Sequence, residues 1–268
     1  MPAGERFELS LYGEGVERRY RKMRPEVEQM PWGTFDRSRL SPRALTAARV
    51  AWTSAAFQEH RTGVACAMAL RAMMEARVPL DLIALATRFP LDEMVHVELA
   101  ARMAMELGGA ADLRHDPDDM IVEPPEGLPV LTRAADMVVR FFCVGESLSI
   151  PLLRGTWHAA EQPLPKAILG RIVKDEAAHG QFGFMFFDWA VSRMDDVAIA
   201  AVTRAADRGI ASVKARWAAS RASRPVDQDT SGDTLGWMRS DAYFVAAERA
   251  MEEKVRAPLR ERGFDVRE

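Results

Sequence analysis

The sequence has little cysteine and no long apolar run. Its two cysteines, Cys66 and Cys143, are far apart and form no C-x-x-C pair, which excludes a disulfide framework and a cysteine-based zinc or rubredoxin-type site. No stretch approaches the roughly 20 uncharged apolar residues of a membrane helix, and the polar N-terminus lacks the apolar segment of a secretion signal. We therefore expect a cytoplasmic protein with no membrane partner.

The chain also lacks an excess of basic residues. It carries 36 Lys and Arg against 39 Asp and Glu, for a net charge of −3. A protein that binds phosphate backbones needs an extended positive field, and this composition does not supply one. We expect no nucleic-acid partner.

Aromatic residues are scarce, whereas residues that favour helices are abundant. Aromatics make up 8% of the chain and only three are Tyr, while Met alone contributes 15 residues. Unbranched side chains lose little rotamer freedom in a helix, so the composition predicts an all-α fold. At 268 residues and 48% apolar, the chain is long enough for one main domain with added segments.

Caps and breakers divide the chain into six predicted helices. Ser41 and Pro42 are typical of an N-cap and a first helical residue, Gly108 and Gly109 of a helix end, and Pro90 of a kink. The predicted parts are an N-terminal arm over 1–40, four long helices over 41–194 and C-terminal helices over 195–268. The predicted helices cover 42–77, 79–108, 130–160, 164–194, 196–221 and 235–256, with a long loop over 109–129 and a turn-rich linker over Ser223–Asp233.

The pattern Asp-Glu-x-x-His occurs twice in the chain. Its copies are Asp92-Glu93-Met94-Val95-His96 and Asp175-Glu176-Ala177-Ala178-His179. Residues three apart lie on the same helix face, so the Glu and the His of one copy can bind the same metal ion. A single copy is most often a solvated pair, but two copies in a chain with five histidines indicate a metal centre.

Two more glutamates, Glu59 and Glu146, lie on the predicted inward faces of the first and third helices. A carboxylate on an apolar face must be paired, protonated or bound to metal. Four carboxylates would neutralise two divalent ions, and oxygen ligands with one imidazole per ion favour iron or manganese over structural zinc. The predicted ligands are Glu59, Glu93, His96, Glu146, Glu176 and His179.

This set resembles the ferritin-like carboxylate-bridged diiron proteins, in which two helices each supply a Glu and two others a Glu-x-x-His. The resemblance covers roughly 42–194. It implies a four-helix bundle with a long crossover between its second and third helices, and bridging by Glu93 and Glu176. It also implies that Asp92 and Asp175 orient the histidine of the opposite helix.

The spacing of the four glutamates is similar to that of acyl-carrier-protein desaturases, arylamine N-oxygenases and aldehyde-deformylating oxygenases. Ile172 stands where N-oxygenases carry an additional His, which argues against that assignment. The tyrosines, Tyr12, Tyr20 and Tyr243, lie outside the core helices, which argues against a radical-generating reductase subunit. The subfamily stays open.

The resemblance implies an O₂-activating enzyme with two Fe ions, or one Mn and one Fe, that oxidises a C–H or N–H bond of a small, largely apolar substrate. Electrons would come from a separate donor, a ferredoxin or reductase, because the chain has no flavin, haem or iron–sulfur motif. The alternatives are an iron-oxidising or peroxide-detoxifying protein and a metal-free helical interaction module. A homodimer stays open.

Glycines four residues after predicted ligands suggest where the substrate binds. Gly63, Gly180 and Gly183 would leave side-chain volume empty at one end of a bundle whose second and third helices run parallel. The alternative is close helix contact at small residues, but an apolar rim favours a pocket. The predicted lining is Gly63, Cys66, Ala86, Phe89, Val139, Phe142, Cys143, Gly180 and Gly183.

Overall fold

The computed structural model of the chain describes residues 4–121, 123–223, 235–236 and 240–267. Helices make up 76% and strands 2%, which confirms the all-α prediction. Within the described ranges no helix is both long and apolar enough to cross a membrane. The predicted linker over Ser223–Asp233 lies, from residue 224 onward, outside the described residues, and the division into an arm, a bundle and a C-terminal part stays a prediction.

The N-terminal arm is attached to the loop that follows the second long helix. Strand β1 (Glu5–Arg6) pairs antiparallel with β2 (Arg114–His115), so that Glu5 lies opposite His115. Between this strand and the first long helix the arm forms two short helices and one turn of 3₁₀-helix. These are α1 (Glu14–Met23), α2 (Pro25–Glu28) and Arg37–Arg39.

The first long helix, α3 (Pro42–Glu75), begins where the sequence predicts. The Ser41 side chain accepts a hydrogen bond from the Ala44 amide, which satisfies one of the free donors at the helix start. Small and apolar residues recur on one face of the helix, and that face is buried.

The prediction of one kinked helix over 79–108 is wrong. The segment forms two helices, α4 (Leu80–Ala86) and α5 (Phe89–Glu106), with a turn at Thr87 and Arg88. Pro90 has no amide hydrogen to donate to the Ala86 carbonyl, and in a continuous helix its ring would clash with that carbonyl. Helix α4 therefore ends at Ala86. Pro90 then lies in the first turn of α5, where proline is tolerated.

The third and fourth helices match the predicted ranges closely. The third runs without interruption through α6 (Val130–Val138), a π-helical segment (Val139–Glu146) and α7 (Ser147–Ala159), and α8 (Pro163–Ala190) follows. The Ser147 hydroxyl donates to the Phe142 carbonyl at 3.0 Å and to the Gly180 carbonyl at 2.7 Å. It thereby ties the end of the π segment to α8.

The C-terminal part packs outside the third helix. Helix α9 (Asp196–Ser223) contacts α6 and the π segment, and α10 (Ser240–Ala250) contacts α7. A second π segment (Met251–Arg256) and α11 (Ala257–Glu261) complete it. The last predicted helix, over 235–256, starts later than expected because Leu235 forms an isolated bridge with Ala160.

The four long helices share two apolar clusters. Helix α3 packs along α5, and the π segment and α7 pack along α8, while α5 also contacts α8 and α3 contacts α6. One cluster, the Phe142 cluster, includes Met73, Phe89, Val138, Phe142 and Phe182. The other, the Leu99 cluster, includes Trp52, Leu99 and Ile168, with Trp157 packed against it.

The order in which each helix meets the clusters gives its direction. Helix α3 passes from Trp52 in the Leu99 cluster to Met73 in the Phe142 cluster, and α8 runs the same way. Helix α5 and the third helix run from the Phe142 cluster towards the Leu99 cluster. These are the directions expected for a long crossover between the second and third helices.

Candidate metal centre

The six predicted ligands come together between the two apolar clusters. Glu59 comes from α3, Glu93 and His96 from α5, Glu146 from the last position of the π segment, and Glu176 and His179 from α8. The two histidine side chains and that of Glu93 are fully buried, whereas Glu59 keeps 18% of its side chain exposed. The cluster is a polar layer inside an apolar bundle.

The ligand-type atoms form two overlapping groups, each able to hold a metal ion. Within each group these atoms all lie within 4.8 Å of one another. The groups are Glu59, Glu93, His96 and Glu176, and Glu93, Glu146, Glu176 and His179. Glu93 and Glu176 belong to both groups.

The distances inside the cluster are those of atoms that face a common point. His179 Nδ1 lies 3.2 Å from Glu93 Oε1 and 3.1 Å from Glu176 Oε2. His96 Nδ1 lies 3.2 Å from Glu176 Oε1 and 3.7 Å from Glu93 Oε2. The two imidazole centroids are 6.4 Å apart.

Several of these buried atoms have no hydrogen-bond partner, although they lie close together. They are both carboxylate oxygens of Glu93, Oε2 of Glu176 and Nδ1 of both histidines. Unsatisfied buried carboxylate and imidazole atoms carry a large desolvation cost. Metal ions held by the two groups would satisfy these atoms, so the residues present fit a metal site.

The donor set also fits a particular class of metal. Each group offers three carboxylates and one imidazole, and neither contains a thiol. Oxygen-rich sets of this kind suit iron or manganese, whereas structural zinc prefers cysteine-rich tetrahedral sites. The composition of the cluster therefore favours Fe or Mn.

Without metal, bound protons offset the negative charge of the buried carboxylates. Burial raises the pKa of Glu59 to about 7 and, with the charges of Glu176 and Glu93, raises that of Glu146 well above its usual range. Burial lowers the pKa of His179, but the adjacent carboxylates of Asp92, Glu176 and Glu93 outweigh it and raise that pKa to about 12.

The pKa values of two other predicted ligands are shifted so that each side chain favours its charged form. Burial lowers the pKa of His96, but Asp175 and the neighbouring glutamates outweigh it, so the pKa is raised well above its usual value. Burial raises the pKa of Glu176, but His179 and His96 outweigh it and lower that pKa. Metal ions would have to displace protons from both histidines.

The two aspartates lie beside the histidines of the opposite helices. Asp92 Oδ2 is 3.3 Å from His179 Nε2, and Asp175 Oδ2 is 3.3 Å from His96 Nε2. A carboxylate only accepts hydrogen bonds, so each Nε2 carries the proton and each Nδ1 faces the glutamates. The aspartates therefore orient both rings for binding through Nδ1.

Two arginines complete this layer, and sequence reasoning missed both. Arg88 Nε lies 2.8 Å from Asp92 and Arg88 Nη2 3.3 Å from Asp175, while Arg171 Nε lies 2.9 Å from Asp175. The signal was available, because each arginine stands four residues before its aspartate. The full repeat is Arg-x-x-x-Asp-Glu-x-x-His.

The volume predicted beside the three glycines is filled by side chains. A Cβ on Gly63 would lie 2.5 Å from Met94 Cε, one on Gly180 would overlap Ile150 Cδ1, and one on Gly183 would lie 2.9 Å from the Cys143 amide nitrogen. The expectation of empty space there is wrong, because the missing side chains permit close helix contact instead.

All residues of the predicted pocket are nevertheless buried. They are Gly63, Cys66, Ala86, Phe89, Val139, Phe142, Cys143, Gly180 and Gly183. Burial raises the pKa of the Cys66 and Cys143 thiols, which keeps both protonated. Their role in binding a substrate stays a prediction.

Aromatic rings cover the cluster of glutamates and histidines on the side of the Phe142 cluster. The Phe89 ring centroid lies 4.3 Å from that of His179, 5.5 Å from Phe142 and 5.1 Å from Phe182. Phe182 was not among the predicted residues, although it stands three positions after His179 on the same helix face. The rings keep this side of the imidazole apolar.

One tyrosine comes closer to the cluster than its place in the sequence suggests. The Tyr20 hydroxyl donates to the Met94 carbonyl at 3.2 Å, next to Glu93 on α5. Arg24 stacks on the Tyr20 ring at 4.6 Å. Burial and the charge of Glu98 raise the pKa of Tyr20 to about 12, so the phenol stays protonated.

Comparisons of the chain with models of known families, with characterised proteins and with solved structures gave no match. What can be said of function therefore depends on the chemistry of the cluster.

Proposed function

We propose that the chain is a ferritin-like protein that binds two metal ions, Fe/Fe or Mn/Fe, between its four long helices. The observation that carries the proposal is the pair of overlapping groups that share Glu93 and Glu176. In this proposal those two glutamates would help to hold both metals. Glu59 and His96 complete one position, and Glu146 and His179 the other.

The outer residues prepare the cluster for metal. Asp92 and Asp175 keep the proton of each imidazole on Nε2, which leaves Nδ1 free as a ligand. The phenylalanines beside His179 exclude water from that side of the site. A dry surrounding strengthens the electrostatic interactions of the cluster.

The reaction that we propose is O₂-dependent oxidation of a C–H or N–H bond in a small, largely apolar substrate. Two iron ions in this cluster would supply the electrons with which O₂ is activated. The protein side chains hold the site, orient the histidines and keep its surroundings apolar. A separate ferredoxin or reductase would return the electrons after each turnover.

A second candidate is an iron-oxidising or peroxide-detoxifying protein without an organic substrate. The observation that favours it is the filling of the space beside Gly63, Gly180 and Gly183 by neighbouring side chains. A site without room for an organic molecule would still admit iron and O₂. The two candidates share the same metal ligands.

Oxygen consumption separates the two candidates. Protein loaded anaerobically with two Fe(II) per chain is exposed to O₂, with and without a chemical reductant, in the presence of a panel of small apolar amines and hydrocarbons. The oxygenase proposal expects O₂ uptake coupled to an oxidised organic product. Uptake that only converts added Fe(II) to Fe(III), with every organic compound recovered unchanged, supports the second candidate.

A further inference from the structure

One side chain contacts both of the aspartates that lie beside the two histidines of the cluster. Arg88 Nε lies 2.8 Å from Asp92, the partner of His179, and Arg88 Nη2 lies 3.3 Å from Asp175, the partner of His96. We propose that Arg88 is a positioning residue that holds both aspartates, and through them both histidines. The two metal positions then depend on each other through one guanidinium. This inference rests on the proposed metal centre.

The guanidinium of an arginine suits the geometry of this place. Its planar guanidinium presents five N–H donors in a fixed fork, so one side chain can bind two carboxylates at once. Asp92 Oδ2 is also the oxygen beside His179 Nε2. A displacement of Arg88 therefore changes the hydrogen bond that orients His179 directly.

The two aspartates do not depend on Arg88 equally. Both are buried, and a buried carboxylate needs a cationic partner. Asp175 also binds Arg171 at 2.9 Å. Within the part of the chain that the structure describes, Arg88 is the one arginine bound to Asp92. Loss of Arg88 should therefore affect the His179 position more than the His96 position.

The position of Arg88 makes the test practical. It lies in the turn between α4 and α5, and 57% of its side chain is exposed. Truncation of an exposed side chain leaves no cavity in the core, and Asp92 keeps His179 as a partner, so we expect the variant to fold. Arg208 offers a matched control, because it too is half exposed and binds a buried aspartate at 2.7 Å, and that aspartate, Asp136, is neither a predicted ligand nor a partner of either histidine.

The test measures Co(II) binding to the metal-free protein by titration calorimetry and by the visible absorption of bound Co(II). Each variant is made in a His96→Ala and in a His179→Ala background, which leave one position each. We expect Arg88→Ala to weaken the His179 position by about 10- to 100-fold, the usual effect of removing an outer partner, and the His96 position by less. Arg171→Ala should weaken the His96 position alone, and Arg208→Ala should change neither.

Arg88→Lys tests the role of the fork. A lysine can bind Asp92, four residues further along the chain, but a single ammonium does not reproduce both contacts. We expect it to restore the His179 position and to leave the His96 position weakened. Full restoration of both would show that charge suffices, and would overturn the bridging role. Should Arg88→Ala not fold, the lysine variant decides the question alone.

Two failures remain distinguishable. If the unmodified protein binds two Co(II) and Arg88→Ala binds both as tightly with the same absorption bands, the inference about Arg88 is overturned. If the unmodified protein binds fewer than one Co(II) per chain, the proposed metal centre itself fails.

Discussion

The two copies of the repeat carry the same residue types at the same spacing, yet their surroundings differ. Among the residues that the structure describes, Asp92 of the α5 copy binds one arginine, Arg88, whereas Asp175 of the α8 copy binds both Arg88 and Arg171. The repeat therefore determines which atoms face the cluster. The helices packed around it determine how firmly each half is held.

The two unrepeated glutamates differ in the same way. Glu59 lies within the regular helix α3 and keeps 18% of its side chain exposed. Glu146 ends a π-helical segment and is almost fully buried. A π-helical turn is rare and is frequently found at functional sites. Glu59 is the more accessible of the two, so we expect its carboxylate to leave a bound metal more readily than that of Glu146.

The largest loss of metal is expected on removal of a residue that belongs to both groups. Glu176 belongs to both groups and Glu59 to one. Glu176→Ala should lose both metals, whereas Glu59→Ala should keep the metal bound by His179. Metal content per chain after anaerobic loading with Fe(II) checks this. Equal loss in the two variants would contradict the division into shared and unshared ligands.

The next effect concerns the aspartates. Asp92→Asn and Asp175→Asn should each weaken metal binding by about 10- to 100-fold, since an amide can donate to the imidazole and favour the wrong tautomer. The loss should be confined to the His179 position for Asp92 and to the His96 position for Asp175. Metal titration of each variant measures it. Unchanged affinity in both would show that the contacts do not orient the rings.

The metal-free protein should lose stability as pH rises. The pKa of Glu59 rises on folding from 4.5 to about 7, and that of His179 from 6.5 to about 12. Both groups bind protons more tightly when folded, so their stabilisation is complete below the unfolded value and is lost through the folded one. Each such proton changes the free energy of unfolding by up to about 1.4 kcal/mol per pH unit.

Thermal unfolding between pH values of about 5 and 9 measures this effect. The melting temperature of the metal-free protein should fall with pH, while that of metal-loaded protein should not, because its ligands are already deprotonated. Glu59→Gln should flatten the curve between 4.5 and about 7 and leave the upper part unchanged. A rise of the metal-free melting temperature with pH would contradict the assignment.

The smallest expected effect concerns the close contacts at two glycines, one on α3 and one on α8. A Cβ on Gly63 would meet the flexible end of Met94, whereas one on Gly183 would meet the backbone of Cys143. Gly63→Ala should be nearly neutral, because better helix propensity offsets the contact by about 1 kcal/mol. Gly183→Ala should destabilise the protein by about 1–3 kcal/mol. Denaturant unfolding checks both, and equal stability would show that the backbone at Cys143 yields easily.

The ligand cluster could be predicted from the sequence because its information is local. A Glu and a His three residues apart must share a helix face, and Glu59 interrupts an apolar face visible in the sequence. The same local rule could have found Arg88 and Arg171, four residues before each aspartate. What no local rule provides is that Arg88 also reaches Asp175 on another helix.

Other features depend on tertiary packing and could not be predicted. The break at Thr87 and Arg88 follows from Pro90, but a kinked helix satisfies the same local constraint, and packing decides between them. The π segment before Glu146 has no distinctive sequence pattern. Gly183 has the same signature whether its missing side chain leaves a pocket or admits a neighbouring backbone.

Iron content tests the central claim most directly. Purified protein is freed of metal, loaded anaerobically with excess Fe(II), desalted and analysed for iron per chain, alongside His179→Ala and the matched exposed-histidine variant His158→Ala. The account predicts two irons in the unmodified protein and in His158→Ala, and one or none in His179→Ala. Fewer than one iron per chain in the unmodified protein would contradict it.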